Sequence, residues 1–256
     1  MNYKLGIDVG GTKIRVILLD LRNKPYFAFN IATPKNKKSF LKVLEKEISK
    51  VIKNKKIAGI GIGLPGIIDI RKGVLIKASN LPFLKKWPAK EFFLKFNKNI
   101  AIDNDSRCFL RAETILGAGE KYKDVIALTI GTGIGGGIMI DSKIYYGKNY
   151  GAGEFGHTII GDNNKTFEQL GGKKAFLKWG NRSEIIGIGV ANLINVFNSE
   201  IVILGGGGIT SNSLKLKIIK KVAKKYIMSP LAKNTPIVKG RLGENSQAIG
   251  AALMVK

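Results

Sequence analysis

The stretch Leu5 to Val16, reading LGIDVGGTKIRV, constrains this chain more than any other. An apolar run ends in an aspartate, two adjacent glycines and a Thr-Lys pair, and a β-branched run follows at once, so the pattern is strand, tight turn, strand. Gly10 and Gly11 allow positive φ and let backbone N–H groups approach an anion, while Thr12 and Lys13 add a hydroxyl and a cation. Asp8, at the strand end, is placed to hold a hydrated metal. A Walker A loop requires Lys before Ser/Thr and then a helix; here the order is Thr-Lys, and Ile14 to Leu19 reads as strand. Taken alone, the segment is either a phosphate-binding hairpin or an ordinary Gly-Gly hairpin.

The elements around it decide how the chain is organised. Tyr3 to Asp8, Lys13 to Leu19 and Tyr26 to Ala32 read as three consecutive strands. A helix is predicted from Ser39 to Lys53, because Phe40, Leu44, Ile48 and Val51 recur at helical spacing and Ser39 offers a cap. Ile57 to Leu64 reads as a buried strand, a helix lies around Ala89 to Phe96, and Ile100 to Asp103 is the next strand, giving the order βββαβαβ. A similar order begins again at Asp124. Strands Asp124 to Ile130 and Gly135 to Ile140 enclose a second glycine turn, with helical segments Thr166 to Trp179 and Ser183 to Asn198 after them. The strand Ile201 to Leu204 then runs into Gly205 to Gly208, and a lysine-rich helix is expected from Ser213 to Met228. Duplicated halves, each opening with a glycine hairpin, predict two similar α/β lobes around a shared ligand. We expect residues 1–107 to form the first lobe and residues 108–239 the second. Residues 240–256, with a last helix from Asn245 to Val255, are expected to return to the first.

Two tempting motifs fail on context. GIGLPG at Gly61 to Gly66 and GTGIGG at Gly131 to Gly136 both satisfy G-x-G-x-x-G, yet Pro65 sits inside the first and a strand follows the second. Neither is a dinucleotide fingerprint.

Composition excludes other classes. At 256 residues, 45% hydrophobic and 24% charged, the chain has the make-up of a globular enzyme with a substantial core. No secretory signal is visible, which predicts a cytoplasmic protein. The longest uncharged stretches, Ile126 to Ile140 and Ile185 to Ser199, contain Gly or Asn and fall short of a bilayer span, so no membrane association is expected. The single Cys108 excludes an internal disulfide and a multi-cysteine metal site. The formal charge of +25 rests on lysines spread along the whole chain, with only seven arginines. Arginine is the residue favoured for bidentate phosphate recognition, so this pattern reads as a solvated surface and not as a nucleic-acid interface.

Candidate chemistry lies in two further segments. At Ala101 to Glu113, AIDNDSRCFLRAE, a strand runs into a helix with Asn104 and Asp105 at the junction. A carboxylate there lies where α/β proteins bind ligands, and the helix N-terminus should hold its pKa low; the competing reading is a plain helix cap. Gly151 to His157, GAGEFGH, places the only histidine three residues after Glu154. Carboxylates, an asparagine and a histidine distributed over loops suit a polyhydroxylated ligand, since each sugar hydroxyl both donates and accepts.

Eight segments occur in the order found in the repressor, open-reading-frame and kinase (ROK) sugar kinases: DVGGTKIRV, GIGLPGIID, SNLPFLKKW, DNDSRCFLRAE, LTIGTGIGGGI, GAGEFGH, FEQLGG and VILGGGG. The chain resembles that family over nearly its whole length. The resemblance implies a two-lobed, actin-like ATPase fold of the RNase H-like, hexokinase-related kind, with an active-site cleft between the lobes. It implies ATP-dependent, glucokinase-like phosphorylation of a hexose with Mg2+, in carbohydrate metabolism, by a homodimer. By the same resemblance, Asp8, Gly10, Gly11, Thr12 and Lys13 form the first phosphate hairpin, Gly131, Thr132 and Gly133 the second, and Gly205, Gly206, Gly207 and Gly208 the adenosine side. Gly66, Asn80, Asn104, Asp105, Glu154, His157 and Glu168 take the sugar-side positions, with Asp105 as catalytic base. The family's cysteine zinc loop is missing: Thr158 to Phe167 reads TIIGDNNKTF, so zinc is not expected. The short, zinc-free form is similar to polyphosphate-dependent glucokinases of the family, which keeps polyphosphate as an alternative donor. Non-catalytic sugar sensors of the same family carry a DNA-binding segment ahead of the first hairpin; this chain starts two residues before its first strand, which argues for the enzyme.

Overall fold

The structure is a computed structural model that describes residues 2–173 and 182–256. The chain divides into two units, one running through Cys108 and resuming at Asn245–Lys256, the other Phe109–Glu244.

In the first unit β1 (Asn2–Val9), β2 (Lys13–Asp20) and β3 (Pro25–Ala32) form an antiparallel meander. Helix α1 (Lys37–Ile52) follows and turns Phe40, Leu44, Ile48 and Val51 inward, the spacing that predicted it. Its cap is Asn36, not Ser39: the Asn36 side chain accepts from the Ser39 N–H at 2.9 Å, so the helix begins two residues before that serine. Strand β4 (Lys56–Leu64) pairs in parallel with β1. A small hairpin, β5 (Ile67–Asp69) and β6 (Val74–Lys77), then precedes helix α2 (Ala89–Leu94), strand β7 (Ile100–Asn104) and helix α3 (Asp105–Leu116). The sheet order is β3-β2-β1-β4-β7.

The second unit repeats this plan. Strands β8 (Val125–Ile130), β9 (Ile134–Ile140) and β10 (Lys143–Ile144) are antiparallel. The short hairpin β11 (Ile159–Gly161) and β12 (Lys165–Thr166) leads into α4 (Phe167–Gly171), shorter than the helix predicted from Thr166 to Trp179: Thr166 is its cap and Gly172 turns extended, while residues 174–179 lie outside the described residues. Helix α5 (Arg182–Phe197), strand β13 (Ile201–Gly205), the single turn α6 (Gly207–Thr210), helix α7 (Leu216–Tyr226) and strand β14 (Ile237–Lys239) complete it. The sheet order β10-β9-β8-β13-β14 reproduces the first sheet strand for strand. Ser213 does not start α7; its hydroxyl donates to the Gly208 carbonyl at 3.1 Å, closing the loop before the helix.

Burial follows from these faces. Strands β1 and β4 are buried almost throughout, as central strands covered on both sides must be. Helix α1 covers one face. The last helix, α8 (Ser246–Ala252), packs against β1 and β4, and it can do so because Gly6 and Gly61 stand side by side in the sheet register. A Cβ at either glycine would overlap the backbone of Ala248 or Ala251. In the second unit α5 and α7 bury Ile186, Val190, Ile194, Ile219 and Ala223 against one face, while Phe109 and Leu110 join Val125, Ala127 and Ile203 in a separate core.

Candidate functional site

The two glycine turns leave backbone donors unused. In the first, the Gly10 N–H is spent on the Lys13 carbonyl (3.0 Å), the Thr33 N–H reaches the Thr12 carbonyl (2.9 Å) and the Thr33 hydroxyl reaches the Gly10 carbonyl (2.7 Å). The N–H groups of Gly11 and Thr12 make no hydrogen bond to the described residues. In the second turn the Gly131 N–H closes on the Gly133 carbonyl (2.9 Å), and Thr132 and Gly133 keep theirs unused among the described residues. Two adjacent unsatisfied N–H groups at a glycine turn form a site for an anion. The third glycine run packs behind the second turn, where Gly206, at φ +83, abuts the backbone of Ile130.

In the first unit several of the sequence-predicted residues contact or influence one another. Asp8 is 3% exposed and faces Arg15 across the hairpin, with Arg15 Nη1 donating to Asp8 Oδ2 at 3.2 Å. Burial, and then the charge of Asp105, push the Asp8 carboxyl up to about 7, against the smaller opposing pull of Arg15. Asp105 and Asn104 both accept from the Ser106 N–H, at 2.8 and 2.9 Å, so the capping reading of this pair is realised too. Asn104 Nδ2 donates to the carbonyl of Gly66 at 3.3 Å. Gly66, at φ +81, is pressed against Lys77 and Ala78, and two residues further Asn80 lies on Gly11, where an added Cβ would come within 2.8 Å of the Asn80 Cβ.

In the second unit the GAGEFGH segment lies along β9, where a Cβ at Gly156 would overlap the Ile134 carbonyl. Glu154 precedes and His157 ends a 3₁₀ turn, with His157 Nε2 at 3.8 Å from Glu154 Oε2 and both side chains more than half exposed. Glu168 stands in the first turn of α4, and its Oε2 accepts from the Ile134 N–H at 2.8 Å. No hydrogen bond among the described residues joins Glu168 to Glu154 or His157. No group of three or more His, Cys, Asp and Glu able to hold a metal is present among the described residues.

Three residues inside the quoted motifs are not singled out by the sequence reading. Arg15, the partner of Asp8, is signalled only by hairpin register, seven residues on. Asp103 and Arg107 form a buried ion pair at 2.6 Å that brackets Asp105, and Asp103 also accepts from the Asn104 N–H at 2.8 Å. Their i,i+4 spacing could have revealed them.

The ROK family model matches residues 4–168 and 165–256. The chain is 36% identical over 168 residues to the N-acetylgalactosamine kinase AgaK of Shewanella sp. (strain ANA-3), a match covering 64% of this chain and 54% of that protein, about half its length. It is 29% identical over 301 residues to the N-acetyl-D-glucosamine kinase of Photobacterium profundum, covering 97% of this chain and 98% of that one. It is equally 29% identical to the xylose repressor of Caldicellulosiruptor bescii, over 98% of this chain and 77% of that protein. Among solved structures, a ROK family glucokinase from Streptomyces griseus in complex with glucose and AMPPNP superposes with a TM-score of 0.87 at 22% identity, over 99% of each chain. The fold is that of the actin-like ATPases.

Proposed function

We propose, from the premise that the chain belongs to the ROK family, that it is a sugar kinase transferring the γ-phosphoryl group of ATP to a hydroxyl of a hexose, glucose or a related hexose at its 6-OH. The observation that supports this most is the pair of glycine turns, each with two adjacent N–H groups unused among the described residues, in a chain aligned along 97% of its length with a sugar kinase. In this reading Gly10 to Lys13 and Gly131 to Gly133 hold phosphates, and Gly205 to Gly208 hold the adenosine side. Gly66, Asn80, Asn104, Glu154, His157 and Glu168 take sugar hydroxyls. Asp105, oriented by its bond from Ser106, accepts the hydroxyl proton as the new O–P bond forms and the bond to the leaving ADP oxygen breaks. Transfer of this kind passes through a loose transition state, so positioning and charge neutralisation do most of the work and the proton moves late.

A magnesium ion fits the acidic end of this site. Asp8 pairs with Arg15, and its carboxyl is raised to about 7 by burial and by the charge of Asp105. Mg2+ is held through one or two carboxylates, waters and substrate phosphates, so a lone buried aspartate suffices. Bound there, it would neutralise phosphate charge. The same reading takes the protein as a cytoplasmic homodimer acting on small molecules, without zinc, membrane or nucleic acid; among the described residues no helix is long and apolar enough to cross a membrane.

The test is a panel of hexoses and N-acetylated hexosamines incubated with Mg-ATP, with sugar phosphate and ADP both quantified. One or more sugars should be phosphorylated with matching ADP release. Saturable sugar binding with no phosphoryl transfer from ATP or polyphosphate would instead support a sugar sensor, the reading that the repressor relative favours.

A further inference from the structure

Glu168 stands in two places at once. On the reading above it takes a sugar hydroxyl, yet its Oε2 accepts from the Ile134 N–H at 2.8 Å, directly after the turn Gly131 to Gly133. The contact is close enough that a side chain at Gly133 would overlap the carboxylate, and Oε1 has no hydrogen-bond partner among the described residues. The backbone of the helix carrying Glu168 also reaches the turn. Gly172 donates to the Glu168 carbonyl at 2.8 Å, and Lys173 N–H donates to the Gly131 carbonyl at 2.9 Å. The first unit repeats the arrangement with other residues: Asn80, again a sugar-side position, rests on Gly11 of its own phosphate turn. In both units the sugar side and the phosphate turn are in van der Waals contact, with glycine allowing it.

We infer that Glu168 is a positioning residue for the second phosphate turn, and that it links sugar occupancy to donor affinity. One carboxylate oxygen fixes the backbone at Ile134 through a charge-assisted hydrogen bond, and the other is left for the sugar. A sugar hydroxyl on Oε1 removes the rotational freedom of the carboxylate and so orders the N–H groups of Thr132 and Gly133 before the donor arrives. A ligand that meets an already ordered loop binds more tightly, and by linkage the donor tightens the sugar to the same degree.

The inference rests on the sugar-kinase reading, and the experiment separates the two. Binding of a nonhydrolysable ATP analogue is measured by calorimetry without and with saturating sugar, for the parent, Glu168→Gln and Glu168→Ala, each checked for folding by its melting curve. Sugar should tighten the nucleotide about tenfold in the parent, within the usual range of such couplings. Without sugar, Glu168→Ala should weaken the nucleotide roughly tenfold, the cost expected on losing a hydrogen bond to a charged group. Glu168→Gln keeps an acceptor for Ile134 and should lie between. A residue that only contacts sugar would raise the sugar KM and leave nucleotide binding without sugar unchanged in folded Glu168→Ala and Glu168→Gln; that result overturns the inference and leaves the kinase reading standing. A parent protein that binds neither nucleotide nor sugar overturns both.

Discussion

At the scale of single residues the tension lies at Asp8. Its carboxyl loses a proton around 3.8 when unfolded and around 7 when folded, because burial and Asp105 outweigh Arg15. A raised carboxyl pKa disfavours the folded state wherever the group must ionise. The penalty is absent below the lower value, grows between the two, and is complete above the upper, with a ceiling on the order of 4 kcal/mol. Asp8→Asn should therefore raise the melting temperature of the ligand-free protein above pH 7 and flatten its fall between pH 4 and 7, while donor use is lost. Melting curves across that range check this, and an unchanged pH profile in the variant would show that Asp8 does not carry it. Asp105→Asn should keep the fold and sugar binding and lower turnover by about two to four orders of magnitude, the usual worth of a positioned general base; near-normal turnover would remove Asp105 from that role. The sequence displays Asp8, Asn104 and Asp105 because strand ends and a helix start frame them. It hides Arg15 and the Asp103–Arg107 pair, whose partners become visible only once hairpin register and helix face are known.

At the scale of elements, glycines serve two different purposes, and substitution separates them. Gly6 and Gly61 admit α8 against the sheet, and a methyl at Gly61 would overlap the Ala251 carbonyl. Gly61→Ala should cost roughly 1–3 kcal/mol or more, as overpacking does, and should show as a lowered melting temperature. Among the described residues, Gly131 and Gly207 have no atom beyond their own chain neighbours within 4 Å of an added Cβ, and neither has positive φ. No packing demand among the described residues explains them; on the proposed function, a phosphate or nucleoside close to the backbone would. Alanine at either position should leave the melting temperature unchanged or raise it slightly, while raising the donor KM; unchanged donor kinetics would detach these glycines from the donor site. Long elements were legible from sequence, since α1 buries one face at helical spacing while α5 and the central strands are sustained apolar runs. The hairpin of β5 and β6 was not, because strands of three and four residues between Pro65 and Asn80 carry too little periodicity to register. The start of α7 was misplaced because Ser213 resembles a cap in sequence, whereas its hydroxyl is committed to Gly208.

At the scale of the whole molecule the open question is the donor, and the charge of +25 bears on it. From residue 201 to residue 243 the chain holds nine lysines and arginines and no acidic residue. Helix α7 contributes Lys217, Lys220, Lys221, Lys224 and Lys225, all exposed, while Ile219 and Ala223 face the core. A basic surface of this kind raises the local concentration of a polyanion, an effect that screening removes over roughly 10 Å at 0.1 M salt. Polyphosphate could exploit it through many weak contacts. Mg-ATP held by the N–H groups of two glycine turns gains little from it, since those contacts are short and local. We expect ATP to be the donor, with hexose phosphorylation changing by less than about twofold between low and physiological salt on that account. Polyphosphate-driven phosphorylation, where it occurs, should fall steeply over the same interval, and replacing Lys220, Lys221 and Lys224 with glutamine should reduce it while leaving ATP turnover intact. Product formation measured with each donor at both salt concentrations decides the matter: efficient, salt-sensitive turnover with polyphosphate and none with ATP would reverse the assignment and give the lysine face of α7 a role in catalysis.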